Sequence, residues 1–162
     1  MNRLSRRTFG LAVLASTAGL MATGLSFGQS RRLQTFEKSS LVIATRTGRH
    51  DFHVEMAIRP KQQLQGLMFR RRMAVDAGML FIYHRIQPAS MWMKNTFIPL
   101  DMLYIDATGK IVGFHERAVP QSLEVITSDK PVRAVLEVNA GTVARLQIAV
   151  GDRVFHPAFK QN

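Results

Sequence analysis

Apolar and polar positions alternate most clearly in HDFHVEMAIRP, where Phe52, Val54, Met56 and Ile58 interleave with His53, Glu55, Ala57 and Arg59. A period of two sets one group on a core and the other on water, so the stretch predicts a strand with His53 on the wet face. LVIATRTG before it reads as another strand. GMLFIYH is an unbroken apolar run of strand length, which predicts burial on both faces. SMWMKNT and PLDMLYID follow as two further strands, and IDATGKIVGFH reads as a hairpin whose turn needs the positive φ that Gly109 supplies. AVLEVNAG and the end of VGDRVFH complete the strand pattern, with Pro120 to Pro131 irregular. Only two stretches change period. PKQQLQGLMFRRR suits a short helix opened by Pro60, with Leu64, Leu67 and Met68 spaced to face a core and its closing arginines opposing the helix dipole. TVARLQIA suits a second. Many strands and two short helices predict an α+β domain, compact and mostly β, with a curved or barrel-like sheet.

The first thirty residues follow a different logic. Arg3, Arg6 and Arg7 precede an uncharged run from Thr8 to Ser30, the order of an export signal. The Arg6-Arg7 pair, with Ser5 before it and Phe9 after, resembles the twin-arginine signal read by the machinery that exports folded proteins. Ser26 and Gly28 mark a cleavage point before Gln29. The predicted organisation is a signal peptide over 1–28, a flexible lead-in over 29–40 and a single domain over 41–162. The predicted location is the periplasm, without stable membrane insertion after cleavage. A retained anchor is the alternative, disfavoured because serine, threonine and glycine make the run only mildly apolar.

Removing residues 1–28 takes away three arginines and no acid, which lowers the formal charge from +11 to +8. The bases are scattered apart from Arg31-Arg32 and Arg70-Arg71-Arg72, and no aromatic residue interleaves with a long basic run. The pattern therefore argues against nucleic acid as a partner. The chain has no cysteine. In an oxidising compartment its core must hold the fold without disulfides, and any soft metal would need methionine or histidine ligands.

GLMFR (Gly66 to Arg70), GMLF (Gly78 to Phe81), WMKNTFIPLDMLYID, and VLEVNAG followed by VGDRV resemble consecutive signatures of the uncharacterised family called domain of unknown function 192. The resemblance runs from about Val54 to Val154. It implies a compact single domain built mainly of strands, often behind an export signal, and it implies no reaction. Met91 stands where the family often has an aromatic residue before the tryptophan.

Three readings of the WMKNT region follow. In the first, Trp92 offers a flat apolar surface while Lys94, Asn95 and Thr96 offer charge and hydrogen bonds. This would make the chain a binding or accessory module for a small ligand or an extracytoplasmic polymer, with Asp101, Arg70 and Glu137 as further candidates. A bland alternative stands beside it: Asn95 and Thr96 close a turn, and Lys94 pairs with Asp101 across a hairpin. In the second, Lys94, Asp101 and Glu137 supply the acid and base of a hydrolase or lyase. No nucleophile motif, phosphate loop or zinc-spaced histidine pair supports that chemistry. In the third, Met91, Met93 and Met102 hold Cu(I) or Ag(I), set against ordinary core packing by methionine.

Overall fold

The computed structural model describes residues 33–159; Arg6, Arg7 and the signal-like segment lie outside them. Seven strands run in chain order: β1 (Glu37–Thr45), β2 (Gly48–Ala57), β3 (Ala77–Met91), β4 (Leu100–Ile105), β5 (Ile111–Ala118), β6 (Ile126–Asn139) and β7 (Arg153–Phe155). Helix α1 (Pro60–Gln65) lies between β2 and β3, and α2 (Thr142–Leu146) follows β6. The strands form one sheet in the order β5-β4-β6-β3-β2-β1-β7. All neighbours are antiparallel except β2 and β3, whose parallel pairing requires the crossover that carries α1.

The two outer strands meet. Lys110 bridges to Arg153, and the Val154 N–H donates to the Gly109 carbonyl at 2.7 Å, so the sheet curls into a partly closed barrel. Gly109 sits at φ 85, as its turn requires, and a Cβ there would lie 2.4 Å from the Val154 carbonyl oxygen. Residues from all seven strands, with Val143 and Leu146 of α2, fill one apolar cluster. A second cluster lies on the other sheet face, where Met79, Phe81, Met102, Tyr104 and Val135 are covered by Leu67, Met93 and Ile98. Adjacent residues of GMLFIYH divide between the clusters: Leu80 and Ile82 face the first, Met79 and Phe81 the second. This is the two-sided burial the apolar run predicts. Every strand and both clusters, with Phe36 packed against the second, come from residues 36–159, so a chain starting at Gln29 keeps all the elements of the domain.

Four expectations are corrected. Strand β6 begins at Ile126, inside the stretch read as irregular, because its first residues pair with Met91 and Ser90 of β3. The strand β1 begins at Glu37, inside the stretch read as flexible lead-in, because it pairs residue for residue with β2 from Glu37↔Met56 onward. In α1 the helix stops at Gln65, so Leu64 is 65 % exposed rather than buried, and Arg70 to Arg72 lie beyond the helix. Gln62 takes the inward place, its side-chain oxygen accepting the Arg59 N–H at 2.9 Å. Finally, SMWMKNT and PLDMLYID do not pair as a hairpin. The first leaves the sheet after Met91, and β4 instead pairs with β5 and β6.

Candidate functional site

Glu137 sits in the middle of the sheet. Its cross-strand neighbours are Met79 on β3 and Met102 on β4; beyond them the same row continues to Glu55 on β2 and His115 on β5. Residues paired across strands share a face, so the Glu137 carboxyl lies among methionines on the face of the second cluster. Glu137 is only 4 % exposed. Burial pushes its carboxyl from 4.5 up to about 8, and among the described residues no cation or hydrogen bond offsets that shift. Tyr83 and Tyr104 are both raised to about 12, chiefly by burial, with the Glu137 charge adding to the effect on each. The Tyr104 hydroxyl has no hydrogen-bond partner among the described residues.

A cleft opens to solvent above this carboxyl. Gln63, Leu64 and Met68 from the α1 region, Phe81 and Met91 from β3, and Trp92 and Thr96 wall an inner cleft of about 60 Å³ that Glu137 also lines. An outer cleft of about 390 Å³ shares the Leu64, Met91 and Trp92 wall and adds Pro60, Tyr83 and Val125. Short-range bonds hold the wall in place. The Gln63 amide donates to the Ile82 carbonyl at 2.7 Å, fixing α1 to β3, and the Tyr83 hydroxyl donates to the Met91 sulfur at 3.3 Å. Trp92 remains 37 % exposed.

The WMKNT segment divides. Asn95 adopts φ 55, and the Thr96 N–H donates back to the Met93 carbonyl at 3.0 Å, closing a turn. Asn95 is among the non-glycine residues that tolerate the left-handed region best. Trp92 and Thr96 face the cleft, whereas Lys94 and Asn95 form the outer turn. The Lys94 ammonium lies 5.0 Å from the Trp92 ring centroid, a cation–π contact in place of the expected pair with Asp101.

Asp101 belongs to the other face. It pairs with Val138, one step out of phase with Glu137, and is fully buried. Its two carboxylate oxygens accept the Arg117 N–H at 2.8 Å and the Val143 N–H at 2.9 Å, which pins the end of β5 and the first turn of α2. Lys94, Asp101 and Glu137 therefore do not share a site, because the sheet runs between the two carboxylates. Arg70 is tied to Glu55 by an ion pair and borders a separate groove with Lys38, His53 and Ser40. Of the three candidate soft ligands, Met93 and Met102 are fully buried in the second cluster and only Met91 reaches the cleft. The sequence reading missed Gln63, Leu64, Met68, Phe81 and Tyr83 as cleft residues. The available signal was parity: Phe81 and Tyr83 alternate in step with Met79 on the face that carries Glu137.

Residues 42–156 match the family domain of unknown function 192, described as an uncharacterised ACR family. The chain belongs to that family. Two solved structures resemble this member. One, from Sinorhizobium meliloti 1021, carries a description that suggests a transcription regulator. It is 47 % identical, with a TM-score of 0.76 over 79 % of this chain and 100 % of its own. The other is a protein of unknown function from Novosphingobium aromaticivorans DSM 12444, 34 % identical with a TM-score of 0.73 over 75 % of this chain and 86 % of its own. No curated protein matches this member of the domain of unknown function 192 family.

Proposed function

We propose that the chain is an exported, periplasmic binding module. Its double cleft would take a small ligand with an apolar body and a hydrogen-bond-donating, amine-type head. One observation carries this reading: a buried carboxyl with no hydrogen-bond or ion-pair partner among the described residues lines the inner cleft beneath a half-exposed tryptophan. An uncompensated buried acid is costly unless something pairs with it. The inner cleft has room for a head group at Glu137. The outer cleft, lined by Leu64, Tyr83, Met91, Trp92 and Val125, suits an apolar body. Export rests on the Arg6-Arg7 signal and the apolar run behind it.

The regulator description of the Sinorhizobium structure raises DNA as an alternative partner. The helices among the described residues have six and five residues, too short to fill a major groove in the usual way, and the basic residues are dispersed. The ligand reading is therefore preferred.

Trp92 is the sole tryptophan, so its emission reports on the cleft directly. Titration with a panel of aliphatic and aromatic amines, matched alcohols and matched carboxylates is expected to give saturable change with amines alone. Glu137→Gln should weaken that response by at least tenfold. Equal responses to amines and carboxylates, or an unchanged response in Glu137→Gln, would remove the carboxyl from the site.

A further inference from the structure

Three loops meet at the edge of the cleft and are sewn together by backbone hydrogen bonds. The Phe69 N–H donates to the Asn95 carbonyl at 2.8 Å, the Gln121 N–H to the Thr96 carbonyl at 3.0 Å, and the Met93 N–H to the Ser122 carbonyl at 3.1 Å. The segments 69–72, 92–97 and 117–125 thus form one surface. On it Phe69, Trp92, Phe97, Val119, Leu123 and Val125 are all exposed. Scattered exposed apolar residues need no explanation, but a contiguous group marks an interaction surface.

Two features identify the partner. Cations sit directly on the aromatic rings: the Arg71 guanidinium is 5.6 Å from the Phe97 centroid and the Lys94 ammonium 5.0 Å from that of Trp92. Across the three segments the bases are Arg71, Arg72, Lys94 and Arg117, besides Arg70, whose charge is met by Glu55, and the one acid is Glu124. Aromatic and branched apolar side chains ringed by bases match the boundary between acyl chains and anionic headgroups. A second copy of this chain would instead set like charges against each other. Backbone strain supports a role for the surface. Phe69 is held at φ 68, a conformation a bulky residue rarely adopts, and it presents its ring to solvent, edge-on to Phe97 at 6.5 Å.

We propose that these three loops form a peripheral docking surface for an anionic lipid bilayer, with Phe69, Phe97 and Leu123 entering the headgroup boundary and Arg71 and Lys94 meeting lipid phosphates. The contact lies on the membrane and does not span it. It is independent of what the cleft binds, although it would place the cleft mouth at Trp92 beside the lipid.

The test uses the chain starting at Gln29, so that the apolar N-terminal segment does not contribute. It is sedimented with vesicles of phosphatidylglycerol and phosphatidylcholine, and separately with pure phosphatidylcholine. Binding is expected to the anionic vesicles only, with a blue shift of Trp92 emission. Phe97→Ser combined with Leu123→Ser should weaken it about tenfold or more. Arg71→Gln should weaken it about fivefold. Phe69→Asn keeps a residue that tolerates positive φ and removes the ring, so it should weaken binding with no loss of melting temperature. The proposal is overturned if anionic vesicles do not bind the chain. It is also overturned if 0.5 M salt abolishes binding while the apolar variants leave it intact, which is adsorption by charge alone. A dimer in solution that the same apolar variants dissociate would assign the surface to a second copy instead.

Discussion

Asp101 and Glu137 are both buried in the same sheet and point to opposite sides of it, because Asp101 pairs with Val138 while Glu137 pairs with Met102. One step of register separates a carboxylate that stitches backbone together from a carboxyl that stands alone at the cleft. Their chemistry differs accordingly. Asp101 accepts two backbone N–H groups, whereas burial holds Glu137 toward its neutral form.

Glu137 makes stability fall as pH rises. Below about pH 4.5 the carboxyl is protonated in both folded and unfolded chains. Between 4.5 and about 8 the unfolded chain releases the proton while the folded chain keeps it, so the folded state loses ground across that window. The melting temperature of the wild type, measured from pH 5 to 9, should drop more steeply than that of Glu137→Gln. Parallel curves would mean that the Glu137 carboxyl is already ionised at pH 5.

Removing the Asp101 carboxylate leaves the Arg117 and Val143 N–H groups without a partner in a dry setting. Asp101→Ala is expected to cost about 2–4 kcal/mol in urea unfolding, from two orphaned donors. Asp101→Asn, which retains one acceptor oxygen, should cost less. Trp92 emission in the folded state should be unchanged in both, since the cleft lies across the sheet.

At the turn, Asn95 keeps φ 55 and its carbonyl accepts the Phe69 N–H. Asn95→Gly should be close to neutral, and Asn95→Val should cost about 1–2 kcal/mol because a branched side chain clashes in the left-handed region. Lys94→Ala, at an exposed position with no ion pair among the described residues, should change stability by less than about 0.5 kcal/mol. Thermal melts of the three variants test the turn and the charge separately.

Barrel closure can be tested at Gly109. A methyl group there meets the Val154 carbonyl oxygen at 2.4 Å on a backbone already at φ 85. Gly109→Ala should cost roughly 2 kcal/mol or more, and amide exchange should speed up at Val154 and Ile111, where the outer strands meet. Unchanged protection at these two amides would show that the strand edges close without this turn.

Much of the architecture follows from local patterning. The alternation from Phe52 to Ile58 and the two-sided run from Met79 to Ile82 state which side chains leave water, and that requirement produces a mostly β fold with two short helices. An acid inside VLEV was likewise visible as an anomaly, since Glu137 interrupts a run of apolar residues. The helix at PKQQLQG was readable from Pro60, but its length was not: Gly66 at φ 48 ends it within reach of Phe81, and that early stop turns Leu64 outward to the cleft. Strand partners were also beyond local reading. TFIP separates two segments that look like a hairpin, yet β4 gains more by entering between β5 and β6, where all six of its residues are buried. The sequence by itself thus determined most of the strands and which of their side chains leave water, because these depend on neighbours a few residues away. The tertiary structure alone decided which carboxyl borders the cleft, since that depends on the register that sets Met102 of β4 opposite Glu137 of β6, far apart in the chain.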